Sequence, residues 1–112
     1  MNIQIYGLSK CFDTKKAERY FKERRIPFQR IDLEKVGLSP REFETVRVAI
    51  GLDAMINTKS KDYEASFIAH LAYEQDVVDK LFENPKLYAT PFVRNGKQVT
   101  VGYHPEIWET WK

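Results

Sequence analysis

The first third of the chain alternates polar and apolar residues in a way that predicts a strand, a helix and a second strand. Residues 2–6 alternate up to Gly7, which is typical of a short strand. Between residues 14 and 25, apolar positions recur at helical spacing and the pattern ends before Pro27, so an amphipathic helix is expected. Residues 28–33 form the second predicted strand. A unit of this length favours a right-handed parallel crossover.

The middle of the chain is predicted to be helical, in two or three pieces. Ser39 precedes Pro40 and Glu42, a combination that predicts a helix start with a capping box. One apolar face then continues to Gly51. Further apolar positions at helical spacing occupy residues 63–83.

The last third predicts a hairpin and a short helix. Residues 92–94 and 98–101 flank Asn95-Gly96, the dipeptide that supplies the positive φ angles of a tight antiparallel turn. A helix is expected from Pro105 to Trp111, with His104 or Tyr103 at its cap.

This order of elements predicts one α/β domain over residues 1–112. A parallel pair followed by an antiparallel hairpin implies a mixed four-stranded sheet (βαβ … ββα), covered by the first and last helices. This is the order of a thioredoxin-like fold, with a helical insertion at approximately residues 38–87.

Composition and charge limit the classes of function. The chain has 112 residues, 43% of them hydrophobic and 30% charged, which predicts a single soluble globule. The net charge of +2 is too small to indicate nucleic acid binding. Residues 1–35 hold nine basic and five acidic side chains, a net charge of +4, so the basic end is also the end with the cysteine.

The cysteine count bears on metal sites and location. One cysteine forms no intramolecular disulfide, and with two distant histidines it supplies no structural zinc site, so we expect neither a metal nor a bound cofactor. No apolar run approaches the ~20 residues of a membrane span. We therefore expect a cytoplasmic monomer that does not associate with membranes.

Cys11 is the candidate catalytic residue, because it lies where the first strand turns into the first helix. The free backbone amides of residues 12–14 and the helix dipole would stabilise a thiolate there. Thr14 lies one turn further, where its hydroxyl could donate to the sulfur, and Lys10 and Lys15 add positive potential. The sequence therefore predicts a reactive thiol stabilised by Lys10, Thr14 and Lys15.

The spacing from Cys11 to Thr14 also limits the mechanism. A hydroxyl stands where a dithiol enzyme has its second sulfur, so the chain has no internal resolving cysteine. A disulfide formed on Cys11 must be opened by an external thiol, such as glutathione or the cysteine of a partner protein.

Thr90-Pro91, just before the third strand, is the second feature near the predicted site. A cis bond there would leave the backbone of Thr90 free for a thiol substrate beside Cys11, whereas a trans proline would simply open the strand. The sequence leaves both alternatives open.

Several segments together resemble the arsenate reductase (ArsC/Spx) family over almost the whole chain. They are the Cys11 segment 9–17, residues 27–33, residues 55–63, and the closing hairpin from Thr90 through Tyr103 with its Pro105 helix. The resemblance implies a thioredoxin-like fold with a helical insertion, a bacterial cytoplasmic protein and a nucleophilic cysteine at Cys11.

Three positions depart from the oxyanion-binding members of that family. Where those enzymes have arginines, this chain has Asn57, Thr90 and His104, so arsenate would meet no guanidinium. Lys59, Lys61 and Arg94 could replace them only if the fold turns them inward. We assign substrate binding to Asn57, Lys59, Thr90 and Pro91.

The resemblance is closer to members that look like glutathione-dependent thiol reductases. We therefore expect a thiol-disulfide oxidoreductase with glutathione as co-substrate, acting on a small thiol or a protein disulfide, with a glutaredoxin as a further partner. Two alternatives remain: an arsenate reductase linked to glutathione and glutaredoxin, and an Spx-like regulator that binds RNA polymerase.

Overall fold

The structure, a computed structural model, describes residues 1–111. It contains four strands, six helices and three short 3-10 turns within that range. The strands are β1 (Ile3–Gly7), β2 (Phe28–Asp32), β3 (Phe92–Asn95) and β4 (Gln98–Val101). The helices are α1 (Phe12–Glu23), α2 (Leu33–Val36), α3 (Pro40–Ile50), α4 (Lys61–Ser66), α5 (Glu74–Glu83) and α6 (Pro105–Trp108). The 3-10 turns span Asp53–Met55, Ile68–His70 and Pro85–Leu87.

The four strands form the predicted mixed sheet, and their order across it is β2-β1-β3-β4. β1 runs parallel to β2, with Ile5 opposite Arg30, and antiparallel to β3, with Ile5 opposite Val93. β3 and β4 form the predicted hairpin, and Gly96 in its turn has a φ of +63°. The amino-terminal βαβ unit and the carboxy-terminal hairpin therefore meet along β1.

Alternation along β1 and β3 separates two apolar cores, one on each face of the sheet. Ile3, Ile5 and Val93 face the first core, which α1 and the carboxy-terminal segment cover with aromatic side chains. Its remaining buried members are Ala17, Tyr20, Phe21, Trp108 and Trp111. Tyr6 and Phe92 face the second core, which residues from α3, α5 and the segments between them cover.

Several boundaries differ from the prediction by a few residues. α1 begins at Phe12 rather than at Thr14 and ends at Glu23. Leu33 starts the unpredicted helix α2, because the side chain of Asp32 accepts a hydrogen bond from the amide of Glu34 at 3.0 Å and caps a new helix. The last helix ends at Trp108, although Trp111 is still buried in the turn that follows.

No helix in residues 1–111 is both long enough and apolar enough to cross a lipid bilayer.

The predicted capping box at Ser39 is present and extends into a partly buried network. The Ser39 hydroxyl accepts from the Glu42 amide at 3.1 Å, and the Ser39 amide donates to the Glu42 carboxylate at 2.9 Å. The hydroxyl of the fully buried Tyr6 donates to the other oxygen of that carboxylate at 2.8 Å, and Arg94 donates to the Tyr6 hydroxyl at 3.4 Å. The network ties α3 to β1 and β3.

This network shifts two pKa values. Burial of Tyr6, together with its hydrogen bond to Glu42, raises the pKa of Tyr6 to about 12. Burial alone would raise the pKa of Glu42, but hydrogen bonds from Ser39 and Tyr6 and the charge of Arg94 outweigh burial and lower it below its ordinary value of 4.5.

We expect the stability contributed by Glu42 to be lost in acid. Because its folded pKa is lowered, the contribution is present above about pH 4.5 and declines as the pH falls through the folded value. Urea unfolding at pH 7, 5 and 3 should therefore show a smaller loss of unfolding free energy for Glu42→Gln than for the wild type. Glu44→Gln, at an exposed position on the same helix, is the matched control and should keep the wild-type pH dependence. Equal pH dependence of the Glu42→Gln variant and the wild type would contradict the assignment.

Candidate active site

The loop between β1 and α1 is fixed by two sets of hydrogen bonds that position Cys11. The Cys11 amide donates to the Leu8 carbonyl at 3.1 Å, which closes a turn after β1. Ser9 donates to one carboxylate oxygen of Glu34, from its amide at 3.2 Å and from its hydroxyl at 2.9 Å. Cys11 is consequently held as the N-cap residue of α1, with extended backbone angles (φ −88°, ψ 115°).

The sulfur of Cys11 faces Thr90, just before β3, rather than the free amides of α1. Its Sγ lies 3.4 Å from the carbonyl oxygen of Thr90, to which the thiol donates. The side chain accepts no capping hydrogen bond from the amides of residues 12–14, so the hydrogen bonds predicted there are not formed. The direction of the sulfur depends on its contact with Thr90, and local helix geometry does not specify that contact.

Thr14 does not donate to the sulfur either, so that prediction is wrong for this structure. Its side chain is 1% exposed, and its hydroxyl has no hydrogen-bond partner among residues 1–111. The side chain instead packs against the backbone of Gly7, at the end of β1. Thr14 therefore packs α1 onto the sheet.

We expect Thr14→Val to leave the reactivity of Cys11 unchanged. Valine keeps the β-branched shape and removes a buried hydroxyl without a partner, so the unfolding free energy should stay equal or rise by up to ~1 kcal/mol. The measurements are the rate of Cys11 alkylation at pH 7 and urea unfolding. Thr14→Ala, which also loses packing volume, should be less stable than Thr14→Val. A severalfold slower alkylation in Thr14→Val alone would show that the hydroxyl reaches the sulfur.

The two lysines assigned to thiolate stabilisation have different surroundings. Lys10 lines the cleft that contains Cys11. Lys15 lies over the exposed ring of Phe12, with its Nζ 5.8 Å from the ring centroid. Lys15 is not among the residues that line the cleft, so its effect on the sulfur is limited to long-range charge.

Cys11 lies on the wall of an open cleft of about 630 Å³. Of the predicted substrate-binding residues, Asn57 and Thr90 line it, whereas Lys59 and Pro91 do not. The full lining is Leu8, Lys10, Cys11, Asp13, Glu34, Asn57, Ser60, Asp62, Lys86, Ala89, Thr90, Val101 and Gly102. The volume is in the range of small-molecule sites.

The two predicted substrate-binding segments have defined backbone geometry. The Thr90-Pro91 peptide bond is cis, and Pro91 is buried. The side-chain oxygen of Asn57 accepts from the Lys59 amide at 3.1 Å, while the Asn57 amide donates to the Leu87 carbonyl at 2.8 Å. Asn57 thus shapes the cleft wall, and Lys59 remains an exposed residue outside it.

No arginine is among the cleft-lining residues in the described part of the chain. Arg94 donates to the Gly96 carbonyl at 2.7 Å and to the Tyr6 hydroxyl, so the fold does not turn it into the cleft. His104 is the N-cap residue of α6, and its Nδ1 lies 2.9 Å from a carboxylate oxygen of Glu106. Lys59, Lys61 and Arg94 do not line the cleft, so they supply no substitute for the arginines that the resemblance implies at positions 57, 90 and 104 of an oxyanion-binding enzyme.

Sequence reasoning missed three charged residues of the cleft, Glu34, Asp62 and Lys86. They come from α2, α4 and the 3-10 turn at Pro85–Leu87, and both helices contact that turn. No local motif marks them, because only tertiary packing brings them to the cleft that contains Cys11. Within residues 1–111, no three His, Cys, Asp or Glu side chains form a potential metal site.

The mixed sheet, with a cysteine at the start of the helix that follows its first strand, defines a thioredoxin-like protein. The glutaredoxin-like NrdH-redoxin of Escherichia coli shares this fold with a TM-score of 0.54 and 16% identity, over 100% of this chain and 96% of that one. The chain belongs to the ArsC family, whose family model matches residues 6–111.

Two further relatives represent both branches of the family. An arsenate reductase from Vibrio cholerae has a TM-score of 0.83 and 23% identity, over 96% of this chain and 94% of that one. Global transcriptional regulator Spx 2 of Oceanobacillus iheyensis is 28% identical over 100% of this chain and 94% of its own length. The family is therefore established. These likenesses do not distinguish an enzyme from a regulator, so that distinction has to be argued from the site.

Proposed function

We propose that this protein is a monothiol thiol-disulfide oxidoreductase with Cys11 as its nucleophile. The observation that carries the proposal is the position of the sulfur, at the N-terminus of α1 and on the wall of an open cleft. Cys11 is only partly buried, so a disulfide can reach it. The helix dipole favours negative charge at this end of α1.

The proposed cycle has two exchange steps. The Cys11 thiolate attacks one sulfur of a mixed disulfide between a substrate and glutathione, which forms a Cys11–glutathione disulfide and releases the substrate thiolate, which takes up a proton. A second glutathione thiolate then attacks the glutathione sulfur of that adduct, releasing the Cys11 thiolate and oxidised glutathione. Across the cycle the mixed disulfide is reduced to the substrate thiol and one glutathione thiol is oxidised, because the other half of the oxidised glutathione entered in the mixed disulfide.

Ionisation must change the contact of the sulfur with Thr90. The protonated thiol donates to this carbonyl oxygen, whereas a thiolate has no proton to donate and is repelled by the carbonyl. The reactive form therefore turns away from Thr90, toward the cleft or the free amides that begin α1.

External reduction follows from the composition of the chain. Cys11 is its single cysteine, so a second sulfur must come from glutathione, from a glutaredoxin or from another protein. We propose that the protein acts as a monomer in a reducing cytoplasm, where glutathione supplies this thiol.

Arsenate reduction has less support from the cleft. Arsenate is a dianion at neutral pH, and bidentate arginine contacts are the usual means of binding such a group. The cleft has no arginine among its described lining residues and includes the carboxylates of Glu34 and Asp62. The two carboxylates disfavour a dianion. Together with Lys10 and Lys86 they suit a ligand that carries both a positive and a negative charge.

Mass spectrometry and turnover together test the proposal. We expect incubation of the reduced protein with oxidised glutathione to add one glutathione, and excess reduced glutathione to remove it. The protein should also accelerate reduction of 2-hydroxyethyl disulfide by glutathione, followed through glutathione reductase and NADPH. A thiol that forms no adduct, or an adduct that reduced glutathione does not release, would refute the cycle.

The likeness to Spx 2 over the whole chain supports a second candidate, a regulator that binds RNA polymerase. Purified polymerase should retain this protein on a column if that role applies, and Cys11→Ser should be retained equally unless the thiol acts as a switch. Retention of the protein together with an absence of disulfide turnover would favour the regulatory function over the proposed one.

A further inference from the structure

The cleft that contains Cys11 is lined by two side chains of opposite charge, Asp62 and Lys86. Asp62, near the start of α4, and Lys86, in the 3-10 turn before β3, both line that cleft. Together with Glu34 they also line an adjoining cavity of about 460 Å³, so they stand where the two cavities meet. The packing of α2 and α4 on the 3-10 turn creates this junction.

Asp62 and Lys86 are both available to a ligand. Each is exposed, and within residues 1–111 neither forms an ion pair within 4.0 Å. The carboxylate of Glu34, in contrast, already accepts two hydrogen bonds from Ser9. The junction thus offers one free anion and one free cation beside the wall that contains the cysteine.

We propose that Asp62 and Lys86 bind the α-amino-acid head of a γ-glutamyl thiol while its sulfur exchanges at Cys11. Asp62 would accept from the α-ammonium group, and Lys86 would donate to the α-carboxylate. The inference builds on the proposed function and adds to it the residues that select the γ-glutamyl thiol. Lys10, the other basic residue of the cleft, remains for the second carboxylate of a glutathione-type tripeptide.

The pair of charges distinguishes this ligand from the alternatives. A γ-glutamyl group carries an ammonium and a carboxylate on one carbon, so a site with one acceptor and one donor matches both. An oxyanion would have its charge opposed by Asp62. A disulfide in the middle of a protein chain has no ammonium and carboxylate on one carbon, so its backbone does not pair with both Asp62 and Lys86.

Selectivity between two disulfides tests the proposal. Glutathione and N-acetyl-cysteinylglycine share the acylated cysteine and the glycine carboxylate, but only glutathione has the γ-glutamyl head. We expect the reduced wild type to form its Cys11 mixed disulfide several-fold faster with oxidised glutathione than with the disulfide of N-acetyl-cysteinylglycine, at equal concentration. Asp62→Asn and Lys86→Gln should each lower this preference about threefold to fivefold, the range of exposed charge pairs.

Matched controls separate this contact from general charge effects. Glu83→Gln and Lys80→Gln remove the same charges from residues that line only the adjoining cavity, and they should keep the wild-type preference. Each variant is also measured with oxidised 2-mercaptoethanol, which has no head group and should react equally with all of them. Urea unfolding checks that the exposed substitutions leave the fold unchanged.

Three results overturn the inference. One is a wild type with no preference for glutathione, another is an unchanged preference in Asp62→Asn and Lys86→Gln, and the third is an equal loss in the two controls. In all three, Cys11 still exchanges with oxidised 2-mercaptoethanol, so the proposed function survives. A Cys11 that reacts with neither oxidised glutathione nor oxidised 2-mercaptoethanol refutes the proposed function itself, and the γ-glutamyl site with it.

Discussion

Replacing Cys11 with serine should reduce disulfide turnover by about 1,000-fold or more, to the rate without protein. Cys11 is the chain's single sulfur nucleophile, and oxygen forms no stable bond to sulfur that could take the place of the mixed disulfide. The loss should appear in the turnover number, because the cleft that binds the substrate keeps its other residues. Reduction of 2-hydroxyethyl disulfide by glutathione is the measurement.

The Cys11→Ser variant should remain folded, which makes its loss of activity interpretable. Cys11 is partly buried, and its side chain makes one hydrogen bond, to the Thr90 carbonyl, which a serine hydroxyl can also donate to. The change in unfolding free energy should therefore stay within ~1 kcal/mol. Thr14→Val, which keeps the thiol, is the active control on the same helix. Turnover that persists in Cys11→Ser would remove Cys11 from the mechanism.

The architecture was predictable because its signals are local. Period-two alternation in β1 assigns Ile3 and Ile5 to one core and Tyr6 to the other. The Asn95-Gly96 turn fixes the hairpin register, and the capping box fixes the start of α3. Each signal uses residues within a few positions of one another, so no knowledge of the rest of the fold is needed.

The site was predictable only in part, because its chemistry depends on contacts between distant segments. The sequence places Cys11 at the start of α1, but the carbonyl that faces its sulfur belongs to Thr90, 79 residues away. Asp62 and Lys86 enter the cleft through the packing of α4 on a 3-10 turn. Asp32 shows the same limit on a smaller scale, since a single capping bond ends β2 and starts α2.

Thr14 shows why helical spacing alone misassigns a side chain. Its place three residues after Cys11 puts it near the start of the helix, but the side chain is directed by the sheet beneath α1. The glycine at the end of β1 leaves space that Thr14 fills, which buries the hydroxyl away from the sulfur. The same close approach makes Gly7 the position with the largest expected effect on stability.

Gly7→Ala should destabilise the protein by about 2–4 kcal/mol. A Cβ on residue 7 would lie 2.5 Å from the Thr14 Oγ1, closer still to its Cγ2, and 3.0 Å from its Cβ. Gly7 is not among the glycines with positive φ, so its requirement is space rather than backbone conformation. The clash can be relieved only by moving α1 away from β1, which also moves Cys11. Urea unfolding and the rate of Cys11 alkylation measure the two effects.

A double-mutant cycle identifies the clash as the cause. Thr14→Ala removes the two atoms nearest to the added Cβ, so Gly7→Ala should cost about 1–2 kcal/mol less in that background than in the wild type. Gly51→Ala is the matched control: its φ is +86° and nothing lies within 4 Å of an added Cβ, so its cost comes from the backbone and Thr14→Ala should not reduce it. If both glycine variants respond alike to Thr14→Ala, the close approach of α1 to β1 does not determine the stability of the site. If only Gly7→Ala is rescued, and alkylation of Cys11 recovers with it, packing beneath the helix sets the position of the sulfur.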